Sequence, residues 1–560
     1  MDINTLYRLW LEKAAGHAAL REELEAIRGD AAAIEDRFYR ELEFGTGGLR
    51  GVIGAGTNRM NVFTVGKATQ GYANYLKAHF AAPSVAIAYD SRINSRLFAE
   101  TAAGVFAANG VRVHIYPRLM PTPSLSFAVR DLRSCGGVVV TASHNSAKYN
   151  GYKDYGADGC QITTEAAAAI QQEIDRIDPF ADVHTLDFAE GLASGIIAYI
   201  GEDTVERYLA AVSAASLLPE DTARGAVIVY TPLNGTGISC VPRCLRAHGF
   251  TGILLPAEQA EPDGNFPTCP CPNPEIREAL SVGLRLAEDT GSELLLATDP
   301  DCDRVGAAVK TAEGYRLITG NEMGVLLLDF VCRMRRANGT MPERPVAVKT
   351  IVTTPMAEKV AAHYGVELRN VLTGFKFIGE QIGILEAQGQ AERYIFGFEE
   401  SYGYLSGSHV RDKDAVNASM LICEMARWYR QQGRTLAQAM DALYQEFGYY
   451  KNRLLSEAFE GQNGMETMRR LMDQLRKQPP KALSGLPVQQ VVDYRNADVT
   501  GLPSADVLEF RLKDDAKLMI RPSGTEPKIK LYLSAKAATA EQAEERVQAL
   551  ARAGKALLAE

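Results

Sequence analysis

No stretch of the chain approaches the run of about 20 uncharged apolar residues that a membrane-crossing helix requires. The first residues, MDINTLYRLWLEK, place an acidic group ahead of any apolar run, which speaks against a secretory leader. A cytoplasmic, soluble protein is expected. A basic excess is lacking too. The 60 Lys and Arg stand against 69 Asp and Glu, for a net charge of -9, and they are scattered rather than gathered into a stripe. Neither a nucleic-acid nor an anionic-membrane surface follows from such a pattern, although a local basic pocket could still meet a small anion. The nine cysteines show no paired metal-finger spacing, and several (Cys135, Cys240, Cys332, Cys423) lie in apolar segments, as reduced thiols do. Cys269-Pro-Cys271 is the exception; with no second pair beside it, it reads as two thiols in a Pro-rich loop. What remains is globular material, 560 residues that are 46% hydrophobic and 23% charged. That is enough for three or four domains of about 100 to 200 residues each.

Residues 1 to 43 carry Ala, Glu, Leu and Arg at helical spacing, and FGTGGLRG (44 to 51) then breaks the pattern into a loop around Arg50. VAIAYDSR, the helical LFAETAAGVFAANG and VRVHIY form a β-α-β unit. The plan recurs at AVIVYTPLNGTG through TGILLP and at VAVKTIVTTP through VELRNVL, with closing glycines at Gly110, Gly249 and Gly365. Three related α/β domains with mixed, mostly parallel sheets are therefore expected. A smaller C-terminal α+β domain follows, with a Pro-rich linker at 479 to 487, one strand in KLMIRPSGTEPKIKLYLSA and a final Ala/Glu helix. The expected boundaries are 1–205, 206–322, 323–450 and 451–560, arranged around a central cleft.

In open α/β sheets ligands sit at the carboxyl ends of strands, which singles out four places. TASHNSAKYNGYK (141 to 153) follows GGVVV and reads as one turn presenting Ser143. His144 adjoins it, but neighbours in extended backbone point apart, so His144 is expected to be badly placed as that serine's base. The G-x-S-x-G elbow is also missing. In LLLATDPDCDRVG, Asp299, Asp301 and Asp303 alternate after a buried strand. Three carboxylates there call for a hard cation, Mg2+ first. The EF-hand Gly and Glu are absent, because Arg304 and Lys310 hold those positions. GFEESYGY places Glu399 and Glu400 beside Ser401, suited to sugar hydroxyls. RPSGTEPKIK offers Arg521, Ser523, Gly524 and Thr525 as a phosphate cradle without the Walker spacing. A hydroxyl, a hard cation, a sugar loop and a phosphate cradle together describe phosphoryl transfer on a sugar phosphate.

TASHN with NGYK, DPDCDR, GFEES and RPSGTEP, in this order, resemble the four signatures of the α-D-phosphohexomutase family of phosphoglucomutases and phosphomannomutases. GTGGLRG and TGFKFIG (373 to 379) further resemble its phosphoglucomutase-2-like branch, some of whose members act on phosphopentoses. The family usually has proline where Ser146 stands, so a somewhat looser loop is expected. The resemblance makes Ser143 the carrier of the transferable phosphate and makes Asp299, Asp301 and Asp303 the Mg2+ ligands, completed by a phosphoserine oxygen. It assigns Glu399 and Ser401 to sugar hydroxyls, and Arg521, Ser523, Gly524 and Thr525 to the non-reacting phosphate. Arg50, His144, Lys153 and Arg304 would line the reaction centre, Lys153 as acid/base and Arg50 for charge stabilisation, and Lys376 would contact sugar or phosphate. The implied reaction interconverts hexose 1- and 6-phosphates, glucose first, through a glucose 1,6-bisphosphate intermediate that turns around under a movable fourth domain. Mannose, glucosamine or pentose phosphates are the alternative substrates. A phosphatase and a non-catalytic sugar-phosphate binder are the rival functions. The only partners expected are small sugar phosphates, with a monomer or dimer as the assembly.

Overall fold

The computed structural model describes residues 2–45, 47–219, 227–459, 464–523 and 528–559, which fall into two compact units. The first comprises Met1–Ile318, Gly379–Tyr394 and Gly403–Trp428, and the second Thr319–Ile378, Ile395–Tyr402 and Tyr429–Glu560.

In the first unit the apolar run of Ser84–Tyr89 has both faces covered, as a central parallel strand must. It pairs in parallel with Arg112–Ile115 and Gly136–Val140. Tyr149–Gly156 and Leu49–Val52 then extend the sheet antiparallel. The segment read as a turn with a lysine on it is therefore partly strand, and Arg50, expected in a loop, lies on an edge strand. A hydrogen-bonded partner on either side decided this against the turn-forming Asn150 and Gly151. Helices Val62–His79 and Ser95–Ala108 pack on this sheet around Val85, Ile87, Phe98 and Val138. A second mixed sheet is ordered Gly314–Ile318, Val305–Thr311, Leu294–Thr298, Val227–Thr231, Gly252–Leu254. The amino-terminal helices Ile3–Lys13, Ala18–Ala26 and Ala31–Phe38 gather around Trp10, which meets Phe38, Phe63 and Phe180 edge-on at 5.8, 5.4 and 5.3 Å.

In the second unit Val346–Thr350 pairs in parallel with Glu367–Val371, and helix Gly320–Ala337 opens on a Thr319–Glu322 capping box. The three repeat glycines all adopt left-handed backbone, φ 74° at Gly110, 79° at Gly249 and 65° at Gly365, which is why the sequence repeats glycine there. The C-terminal sheet is antiparallel and six-stranded, backed by Gly464–Lys477 and Ala540–Ala559. The single strand expected over KLMIRPSGTEPKIKLYLSA is two, Lys517–Pro522 and Lys528–Ala537, with Arg521 opposite Lys530. The Pro-rich linker is the start of a small hairpin, Ala482–Leu483 with Leu486–Asp493.

Candidate active site

Strand Gly136–Val140 ends just before Thr141, and the loop after it is held by two buried residues of the neighbouring strand end. Asp90 Oδ2 accepts the Thr141 hydroxyl at 2.6 Å, and Asp90 Oδ1 accepts from Ser95 Oγ at 2.7 Å. Thr141 Oγ1 in turn accepts the Ser143 amide at 2.9 Å. The Arg92 guanidinium donates to the carbonyls of Ser143 (2.5 Å), Ser146 (2.9 Å), Tyr149 (3.0 Å) and Asn145, and lies over the Phe266 ring. A rigid fork reaching four carbonyls fixes this loop. The carbonyl of Ser146, where a looser loop is expected, is one of those held.

So held, Ser143 sits in left-handed backbone at φ 50°, an uncommon state for a residue with a Cβ. Its side chain is buried, and its hydroxyl donates to Asp299 Oδ2 at 2.7 Å. The same conformation corrects the expectation for His144. The alternation of side chains holds for extended backbone, and here the ring returns to place Nδ1 3.2 Å from Ser143 Oγ. Desolvation and the nearby guanidinium groups of Arg304 and Arg50 hold this imidazole well below its ordinary pKa, and therefore neutral at pH 7.

Asp299, Asp301 and Asp303 are fully buried, with carboxylate oxygens within 4.8 Å of one another. Asp299 Oδ1 accepts the Asp303 and Arg304 amides at 3.1 and 3.0 Å. Asp301 Oδ2 accepts from Thr122 Oγ1 at 3.0 Å and from Lys153 Nζ at 2.8 Å. Asp303 Oδ2 lies 2.8 Å from Lys413 Nζ and 3.5 Å from Lys153 Nζ. The sequence pointed to a cation alone as the counter-charge; two buried ammonium groups share that task. Burial and the charges of Asp301 and Asp303 push Asp299 well above the usual carboxylate range. Burial pulls Asp301 the same way, but Lys153 outweighs it and lowers that carboxyl. Burial also opposes the charge on Lys153, yet Asp301 and Asp303 prevail and raise it. Asp301 Oδ1 and Asp303 Oδ1 are buried without a hydrogen-bond partner, the latter 3.8 Å from Arg304 Nε. Carboxylate oxygens left over inside an all-oxygen cluster are what a hard divalent ion takes, so the residues fit a metal.

Of the remaining expected residues, Lys153 is on strand Tyr149–Gly156, Arg50 is exposed on its strand opposite Gly151, and Arg304 Nη1 donates to Glu275 at 3.4 Å. The second unit carries the others. Glu399 is buried at the end of strand Tyr394–Glu399, and Ser401 follows in the turn, half-buried. Lys376, in the first turn of Phe375–Ala387, has its ammonium 5.0 Å from the centre of the Phe377 ring. Arg521 is half-buried near the end of Lys517–Pro522, and the Ser523 amide donates to Lys528 O at 2.8 Å. Gly524 and Thr525 lie outside the described residues.

Asp90, Arg92, Thr122 and Lys413 escaped the sequence reading. For the first two a signal was present, because YDSR ends a strand in charge just as DPDCDR does. Lys413 belongs to RDKD (411 to 414), which no motif marked and which only the tertiary fold brings to Asp303.

Comparison with known proteins identifies the family. Four consecutive family models match the chain. Phosphoglucomutase/phosphomannomutase alpha/beta/alpha domains I, II and III match residues 41–180, 206–314 and 319–447, and the C-terminal domain of the same family matches 466–553. A phosphoglucomutase of Staphylococcus saprophyticus is 36% identical over 509 residues, 89% of this chain and 91% of the relative. One from Staphylococcus aureus is 34% identical over 560 residues, 97% of this chain and 98% of its own. The crystal structure of a phosphomannomutase homologue from Thermus thermophilus has the same fold, with a TM-score of 0.70 at 23% identity over 93% of this chain and all of that one. The motifs, the four matched domains and the full-length relatives agree, and the chain belongs to the phosphoglucomutase/phosphomannomutase family of enzymes.

Proposed function

We propose that the protein interconverts hexose 1-phosphate and hexose 6-phosphate, glucose first, by way of a phosphate carried on Ser143. The observation that carries this reading is the Ser143 hydroxyl, held in left-handed backbone and hydrogen-bonded to an aspartate of a buried three-carboxylate cluster. A phosphoserine brings a charge of about -1.5 to -2 at neutral pH, so it needs counter-charge at that point. Lys153 and Lys413 supply part of it. Mg2+ held by Asp299, Asp301 and Asp303 with a phosphoserine oxygen would supply the rest and polarise the transferring group. Lys153 stands as the acid/base group and Arg50, Arg304 and His144 as charge-bearing or orienting neighbours. Glu399, Ser401 and Lys376 are assigned to the sugar, and Arg521 with Ser523, Gly524 and Thr525 to the phosphate that does not react. Glucose is preferred over mannose or a pentose because relatives at 34 to 36% identity over nearly the whole chain are named phosphoglucomutases. Glucose 1,6-bisphosphate is then both intermediate and activator, in a cytoplasmic setting.

Peptide mass analysis tests the carrier. The peptide with Ser143 is expected to show a partial increment of one phosphate, and glucose 1,6-bisphosphate to restore it after dephosphorylation. Phosphate on another residue during turnover would overturn the mechanism. Rates on glucose, mannose, glucosamine and ribose 1-phosphates decide the sugar.

A further inference from the structure

The second unit contains a pair of buried lysines that the reaction chemistry does not use. Lys517 opens the strand Lys517–Pro522, and alternation puts its side chain on the same face as Met519 and Arg521. Met519 packs on that face with Ile351, Val352, Tyr494 and Tyr532. The Lys517 ammonium, in the same patch, donates to the backbone carbonyls of Ile351 at 2.6 Å and Thr353 at 3.3 Å. Lys349 Nζ reaches Thr350 O and Thr353 O, each at 3.4 Å, and Glu358 Oε1 at 3.4 Å. Both ammonium groups thus converge on the Thr353 carbonyl, at the turn after strand Val346–Thr350.

The hydroxyls of that turn face a carboxylate. Thr350 Oγ1 and Thr353 Oγ1 lie 2.7 Å apart, and they approach Glu400 Oε2 at 3.1 and 3.2 Å. Two hydroxyl hydrogens serve three contacts, so Glu400 is gripped only while both threonines keep their places. Glu400 is the residue between Glu399 and Ser401, which the proposed function assigns to sugar hydroxyls. A continuous chain of contacts therefore runs from the strand bearing Arg521, through Lys517 and the 350–353 turn, to the segment bearing Glu399 and Ser401.

Resting on the phosphosugar mutase reading, we propose that Lys517 is a positioning residue that fixes the sugar-binding segment 395–402 to the strand carrying Arg521, so that both ends of the substrate are gripped at a set spacing. An ammonium is suited to the task because it offers three donors in a place where a neutral side chain would leave carbonyls unpaired. It is also costly. A cavity of about 280 Å³ beside it is lined by Lys349, Arg511, Glu358, Glu509 and Tyr494, and burial and then the charge of Lys349 push Lys517 down to about 8. Glu509, Glu358 and Arg511 are the other charged groups acting on it, and Glu400 and Glu509 act on Lys349 as well. Above pH 8 the charge is lost, the bonds to Ile351 and Thr353 weaken, and the grip on Glu400 loosens.

Lys517→Met, Lys517→Arg and Thr353→Val test this in the full chain, with glucose 1-phosphate as probe. In Lys517→Met the KM at pH 7 is expected to rise about tenfold with kcat changed less than about threefold, because substrate placement is lost rather than the reacting groups. Backbone hydrogen exchange of residues 395–402 should quicken in the same variant. Lys517→Arg should restore both and remove the rise in KM that the wild type shows above pH 8. Thr353→Val, which breaks the chain one link further on, should reproduce the KM effect even where Lys517→Met does not fold. A folded Lys517→Met or Thr353→Val variant with wild-type KM and wild-type exchange at 395–402 overturns the proposal, as does a wild-type KM that stays flat between pH 7 and 9. Wild-type protein inactive on every hexose phosphate would sink the mutase reading instead, and the exchange comparison would still decide the positioning role.

Discussion

Ser143 shows how much of a site's chemistry is set by residues that do not react. Its hydroxyl reaches Asp299 because the backbone is left-handed, and the backbone stays left-handed because Arg92 and Asp90 hold the loop's carbonyls and the Thr141 hydroxyl. Arg92→Ala would leave four carbonyls short of a donor and let the loop drift. A displacement of about 1 Å at a reacting atom costs on the order of a hundredfold, so kcat is expected to fall about that much with KM changed far less. Lys at this position should recover only part of the loss, since an ammonium cannot span the carbonyls of Ser143, Ser146 and Tyr149 together. Steady-state kinetics of both variants check this; equal kcat in wild type and Arg92→Ala would remove the loop's rigidity from the argument. Ser143 and the aspartates stand out in the sequence because strand ends are legible in an apolar run followed by polar residues, and the fold brings them together. The sequence reading misplaced His144 because it took the backbone as extended. Nothing local announces φ 50° at a serine; the cause is a guanidinium 51 residues earlier in the chain.

Elements were legible where burial and periodicity agree. The three repeats emerge as read, and the structure adds that their closing glycines are left-handed. The errors fall where residues that favour turns are overruled by pairing. Asn150 and Gly151 look like a turn, yet they sit on a strand with partners on both sides. Gly151 is required there by closeness: a Cβ would come within 2.5 Å of Thr141 O and 2.8 Å of Leu49 O, both backbone atoms. Gly151→Ala must therefore push the neighbouring strands apart, at a cost of about 1–3 kcal/mol. Lys153 lies two residues further on the same strand, so activity should drop with stability. A urea midpoint and a kcat measured on the same preparation test it, and an unchanged midpoint would mean that the strands yield more easily than their contacts imply. Strands Lys517–Pro522 and Lys528–Ala537 read as one because apolar residues flank RPSGTEP on both sides.

At the scale of the whole molecule, the two compact units divide the proposed labour. Ser143, the aspartates, Lys153 and Arg50 belong to the first, while Lys376, Glu399, Ser401, Arg521 and Ser523 belong to the second. The division could not be read from sequence, because Gly379–Tyr394 and Gly403–Trp428 join the first unit from within the third matched domain. It has a consequence for the serine itself. In Ser143→Ala the loop keeps its hydrogen bonds to Arg92, all of which are made by carbonyls, so the fold should survive. The phosphate carrier is gone, so mutase activity should be lost. The groups assigned to grip sugar and phosphate are untouched, so the Kd for glucose 1-phosphate should stay within about threefold of wild type, a change of less than about 1 kcal/mol. Titration calorimetry on the alanine variant, alongside the mutase assay, separates the two roles. A variant that still turns over would displace the phosphate from Ser143. One that is inactive and also binds glucose 1-phosphate more than about tenfold more weakly would show that the first unit, and not the second, supplies the binding energy.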